Sequence, residues 1–308
     1  MSIFEDSNIL GPEYFSDDPE VLLQLWENHY AETFGSNWDI LRYATSSCCV
    51  AAAQTFGSLI NSWQRSTSSN QPAAETSIVL EINYRTVVLG PLLATIIHSA
   101  FCLECLIHLV AEAMLIISTD NRLTQQFSVE GFDRQSFDDR LKAAIDLSGC
   151  KPLSKEMDIA VKELILFRNN CAHDTPYYRT SLGVLKKMKR GKMKQINDQS
   201  MYPAFHTSMV PLTIRHAKQA IETHDAVVNH MKNSCSDDFF EQLKDFYPHL
   251  QFDGIMAYMP SNIRGDIIDN QIEIWEKEVL PWKDQISMKE HEKEYRKFVR
   301  KTKIKRVQ

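Results

Sequence analysis

ELILFRNNCAHDTP, Glu163 to Pro176, closes a segment whose apolar residues recur every three or four positions. Met157, Val161, Leu164 and Ile165 form one stripe of a helix that runs from Ser154, just after Pro152, to His173, just before Pro176. Arg168 takes the next position of that stripe, where a leucine would complete the buried face. A buried cation without a partner costs several kcal/mol, so the position calls for a carboxylate on a neighbouring element or for a wet cleft. Asn169 and His173, four residues apart, fall on an adjacent face about 100° round the helix. The spacing therefore predicts a polar groove at the helix end, lined by Arg168, Asn169 and His173.

The flanking sequence repeats the same period, and alternating strand patterns are scarce. Upstream, Val87 to Ser118 is apolar enough to raise the question of a membrane span, but it carries His98, Glu104, His108 and Glu112, the last three recurring every four residues. Two carboxylates and two imidazoles are costly in hydrocarbon, so the segment reads as a long core helix beginning near Pro91. SFDDRLKAAIDLSG predicts a shorter helix with Ser136 as N-cap and Gly149 as stop. Leu212 to Lys232 places Ile214, Ala217, Ile221, Val228 and Met231 on one face. His224 falls on that apolar side and reads as a core histidine rather than a ligand. Asp18 to Arg65 reads as two helical segments, while Asp237 to Leu250 and Asp266 to Val307 read as further helices. STSSNQPAAETS, Ser66 to Ser77, has the composition of a linker. The expected fold is mainly α, organised as an N-terminal helical segment (1–65), a linker (66–77), a helical core (78–233) and a C-terminal helical extension with a basic tail (234–308).

Composition narrows the functional classes. At 308 residues, 44% hydrophobic and 24% charged, the chain has the make-up of a soluble globular protein with an ample core. A net charge of -6 argues against coating nucleic acid by general electrostatics and leaves only local basic patches for such contact. Seven cysteines, an odd number scattered along the chain, do not resemble a disulfide framework and suit a reducing cytosol. MSIFEDSNILGPEYF has no basic stretch followed by an apolar run, so no signal peptide is visible, and a cytoplasmic protein without membrane contact is expected. GxxxxGK, GxSxG and HExxH signatures are absent from the sequence. Cys102 and Cys105 form a CxxC with His108 nearby, but there is no second CxxC, and these read as core thiols rather than zinc ligands.

RNNCAH, Arg168 to His173, has an arginine followed by a polar residue and then a histidine five positions after the arginine, at the end of a helix preceded by two others. In this it resembles the ribonuclease motif of the HEPN superfamily. The similarity extends to HSAFCLECLIHLVAEAM, which looks like the family's first long helix with its acidic residue at Glu104, to DDRLKAAIDL, and to PLTIRHAKQAIETHDAVVNHM, which looks like its closing helix. The resemblance implies an HEPN-like helical bundle with additional N- and C-terminal helical segments. It also implies metal-independent endoribonuclease activity in a homodimer whose two motifs share one cleft, needing no cofactor. Arg168 would stabilise the phosphate, His173 would act as general base or acid, Asn169 would fix the imidazole or contact the scissile group, and Glu104 would support Arg168 from behind. Relatives serve as toxins or antiviral effectors, which implies an antitoxin or other regulatory partner.

KKMKRGKMK places six cations in nine residues shortly after the motif. Lys186, Lys187, Lys189, Arg190, Lys192 and Lys194 are thus a candidate track for an RNA backbone, with Tyr177 and Tyr178 placed to stack on bases. A second basic run, Arg296 to Arg306, reads as a further contact or a solubilising tail. The contrasting class is a non-catalytic HEPN module that binds a nucleotide or a partner protein.

Overall fold

The computed structural model describes residues 36–69, 71–117, 135–173, 212–247, 250–261, 263, 265–286, 293 and 296–297. The calls on Tyr177, Tyr178, the Lys186 to Lys194 run and most of the C-terminal basic tail lie outside the described residues. Among the described residues the chain is an all-helical, multi-helix bundle with no strand. In chain order the helices are α1 (Asn37–Ser68), α2 (Ala73–Asn83), α3 (Leu89–Ile117), α4 (Phe137–Leu147), α5 (Lys155–His173), α6 (Ile214–Ser234), α7 (Asp237–Phe246), α8 (Asp266–Ile274) and α9 (Leu280–Asp284). A π-helical turn, Tyr84–Val88, joins α2 to α3, and a second, Trp275–Val279, joins α8 to α9. A 3-10 turn, Ile255–Tyr258, precedes α8.

The helix ends follow local chemistry. Ser136 Oγ accepts from Asp139 N at 3.2 Å to open α4. The helix closes through Gly149 at φ +66°, with Gly149 N donating to Asp146 O and Cys150 N to Ile145 O, the paired bonds of a Schellman cap. Ser154 Oγ accepts from Met157 N at 3.2 Å at the start of α5.

Two expectations are corrected. Asn37 to Ser68 is one helix of 32 residues, and the part of the Asp18 to Arg65 reading before Ser36 lies outside the described residues. Most of the Ser66 to Ser77 stretch is helical as well, with α1 ending at Ser68 and α2 starting at Ala73. The hydroxyls that make this stretch look like a linker bond inside the helix, Thr67 Oγ1 to Trp63 O at 3.0 Å and Ser68 Oγ to Gln64 O at 2.8 Å. Thr76 and Ser77 are buried in α2. Pro91 does not begin a helix either, because the chain enters α3 through the π turn, where Leu89 N donates to Tyr84 O. Pro281 follows the other π turn in the same way. A widened turn just before a proline lets the helix pass the missing N–H and the ring without ending.

The chain divides into two compact units, one of residues 1–40, 105–152 and 232–252, the other of 41–104, 153–231 and 253–308. In the first, Phe252 packs against Trp38, with centroids 5.3 Å apart, and against Phe240 at 5.2 Å. Cys150 and Cys235 are disulfide-bonded in this unit, with Cα atoms 4.6 Å apart. The scattered cysteine spacing did not reveal this pair, because it is made by two helix ends that lie 85 residues apart in sequence.

In the second unit α1 runs beside α8 and α9. Gln271 Nε2 donates to Ala53 O at 2.9 Å, and the rings of Phe56 and Trp275 lie 4.9 Å apart, those of Trp63 and Trp282 5.8 Å apart. Residues Ala73–Ala111 are long and apolar enough to cross a membrane by length and composition. Tyr84, Val88, Leu92, Ile96 and Leu103 of this stretch are buried in the bundle, whereas Val79 and Val87 are exposed. Tyr84 Oη donates to Leu212 O at 2.9 Å, fixing the approach to α6.

A buried polar cluster ties α6 to the 3-10 turn. Asp225 accepts from Ile255 N at 2.7 Å and Met256 N at 2.9 Å, and His224 Nδ1 lies 2.8 Å from its carboxylate. The fully buried Arg42 donates to Asp253 O and stacks 4.7 Å from the centroid of Tyr258. Nothing in the sequence singled out Arg42.

Candidate active site

α5 and α3 supply the site. On α5, Val161, Leu164 and Ile165 are buried, and Arg168 continues their stripe with its side chain 13% exposed. Its guanidinium forms an ion pair with Glu104 of α3, whose side chain is 18% exposed, and lies 5.2 Å from the centroid of Phe101, one turn earlier on α3. Glu104 thus provides the charge and Phe101 the flat surface that make an arginine tolerable at a helix contact. Burial lowers the Arg168 pKa from its ordinary value. Arg168 Nε has no hydrogen-bond partner among the described residues. That nitrogen is itself buried, so it offers no donor to solvent.

Asn169 is half-buried, immediately after Arg168. His173 is the last residue of α5, and its side chain lies outside what the structure describes, as does that of Glu112. Arg168 and Glu104 are thus brought together, Asn169 is adjacent, and the histidine is located by its backbone alone. Ile159 and Leu166 on α5 are 47% and 59% exposed. Positions 159, 166 and 173 are seven apart, so they share one stripe with a drift of about 20° per step. The two exposed apolar side chains therefore lie on the side of α5 where the histidine is placed, with Lys162 and Glu163 between them.

Other candidates occupy quieter places. Cys102 is buried, 3.3 Å from Thr45 Oγ1, and Cys48 Sγ is 3.7 Å from His98 Nδ1. Burial pushes the Cys171 thiol, on α5, up to about 11. No group of three or more metal-ligating side chains is assembled among the described residues. His224 is fully buried beside Asp225. Phe101 was missed at the sequence level; the available signal was its position three residues before Glu104, which puts both side chains on neighbouring parts of one helix face.

Comparison with known proteins leaves the site to be read on its own geometry: no protein-family description matches the chain, and no curated protein or solved structure matches it significantly.

Proposed function

We propose that this chain is a metal-independent endoribonuclease of HEPN type, acting in the cytoplasm as a homodimer. The observation that carries the reading is the arrangement at the end of α5. Arg168 is held by Glu104 and Phe101, five residues before a histidine on the same helix as the exposed Ile159 and Leu166. The chemistry requires a base to take the proton of a ribose 2′-OH, a cation to stabilise the charge that builds on the phosphate, and an acid to protonate the leaving 5′-oxygen. An imidazole with an ordinary pKa of about 6.5 serves either proton transfer near neutral pH. A planar guanidinium can hold two phosphoryl oxygens at once. Two copies meeting along Ile159 and Leu166 would bring two histidines to one cleft, so that one acts as base and the other as acid. The basic run Lys186 to Lys194, with Tyr177 and Tyr178, would carry the RNA strand. A role as a toxin or antiviral effector, restrained by an antitoxin or regulator, belongs to the same proposal.

The engagement of Arg168 by Glu104 favours a second reading, in which the motif is structural and the bundle is a nucleotide-binding or protein-interaction module. Incubating RNA with the wild-type chain and with His173→Ala, both in chelator, separates the two. The first reading requires cleavage by the wild type alone; the second requires none by either.

A further inference from the structure

We propose that Cys150 and Cys235 form a reversible dithiol–disulfide couple that opens and closes a covalent loop around α5 and α6. The Cα separation of 4.6 Å lies within the range of about 4.4–6.8 Å that a disulfide needs. Each cysteine is held at a helix end by bonds that do not involve sulfur. Cys150 N donates to Ile145 O at 3.1 Å, directly after Gly149 in its left-handed conformation. Cys235 sits between Ser234, the last residue of α6, and Ser236, whose Oγ accepts from Phe239 N at 3.3 Å to cap α7. Because these caps persist when the S–S bond is broken, the two thiols stay placed for reclosure.

Access and selectivity point the same way. Cys150 is buried at 8% exposure, whereas Cys235 is only half-buried and is the sulfur more open to an incoming thiolate. The other five cysteines, Cys48, Cys49, Cys102, Cys105 and Cys171, are not disulfide-bonded. Burial pushes Cys49 up to about 12 and Cys171 to about 11, so they hold little thiolate at neutral pH and do not compete in exchange. One disulfide among five free thiols is not a disulfide scaffold.

The reductant is a dithiol. Its thiolate bonds to Cys235 Sγ, the S–S bond breaks, and Cys150 leaves as a thiolate that takes a proton. The second thiol of the reductant then displaces Cys235, and two electrons have passed from the dithiol, now a disulfide, to the protein pair. The closed form spans a sequence separation of 85 residues, which includes Arg168 and all of α6; the open form releases that constraint.

The test equilibrates the native full chain in graded mixtures of reduced and oxidised dithiothreitol, quenches with acid, and alkylates after denaturation. Mass analysis is expected to show five alkylated cysteines at the oxidising end and seven at the reducing end, with Cys150 and Cys235 as the two that change. The transition should follow a two-electron curve while helical circular dichroism stays constant. Cys150→Ser and Cys235→Ser should each melt like the reduced wild type and lose all response of the melting temperature to dithiothreitol. Seven alkylated cysteines throughout, a different pair, or reduction only where helicity is lost would overturn the proposal. None of these outcomes depends on the ribonuclease reading.

Discussion

Gly254 illustrates how much single positions decide. A Cβ added there would lie within 2.6 Å of both carboxylate oxygens of Asp225, the group that accepts Ile255 N and Met256 N. Gly254→Ala should therefore cost about 2–3 kcal/mol, by loss of those bonds to a buried carboxylate, measurable as a lowered urea midpoint. His216 makes a pH prediction. Burial depresses its pKa to about 4, while its Nδ1 accepts from Thr213 N at 2.9 Å. Between pH 6.5 and 4 the unfolded chain binds a proton that the folded one refuses, so stability falls as pH drops through that window, by up to about 3 kcal/mol. Burial lowers the pKa of His224 as well, which adds in the same direction. His216→Asn should lose less stability than wild type between pH 7 and 4.5 in matched urea titrations. At Arg168, alanine would strand Glu104 in a largely buried place and should cost about 3 kcal/mol, so it confounds folding with chemistry. Arg168→Lys keeps the charge but loses the planar fork. It should retain most of the stability while lowering cleavage roughly 100-fold in single-turnover assays. The need for a partner at Arg168 was legible in its stripe position; Phe101 and Arg42 were not, since an aromatic or an arginine on a helix face carries no sign of what will pack on it.

At the level of elements, α5 makes the sharpest claim. Ile159 and Leu166 face solvent within one chain, and the proposed dimer covers them. Ile159→Glu with Leu166→Glu should leave helical circular dichroism unchanged, since neither side chain fills the core of one chain. The same double variant should sediment as a monomer where wild type sediments as a dimer. A wild-type monomer at micromolar concentration would remove the composite cleft. Helix periodicity and capping residues made α4, α5 and α6 readable, because Ser136, Gly149 and Ser154 act through bonds within a few residues. The prolines and serines misled where distant packing outweighs local preference. Thr76 and Ser77 are helical because α2 is buried, and Pro91 is passed by a π turn rather than starting a helix. The disulfide was invisible for a related reason, being set by where two helices end rather than by spacing.

At the scale of the whole molecule, the all-helical character of the described residues follows from sequence period, while the division into units does not, since each unit draws on three separate stretches of chain. The proposed function rests on α5, and the basic run that would guide RNA in that proposal lies beyond the described residues. The central claim is the 2′-OH mechanism, and the chemistry of the cut ends tests it most directly. Wild-type protein should cleave RNA in the presence of chelator, leaving a 2′,3′-cyclic phosphate and a 5′-OH by mass analysis, and should leave 2′-O-methyl RNA and DNA intact. Products ending in 3′-OH and 5′-phosphate, cleavage of the 2′-O-methyl strand, or no cleavage of RNA at all would contradict the roles assigned to Arg168 and His173.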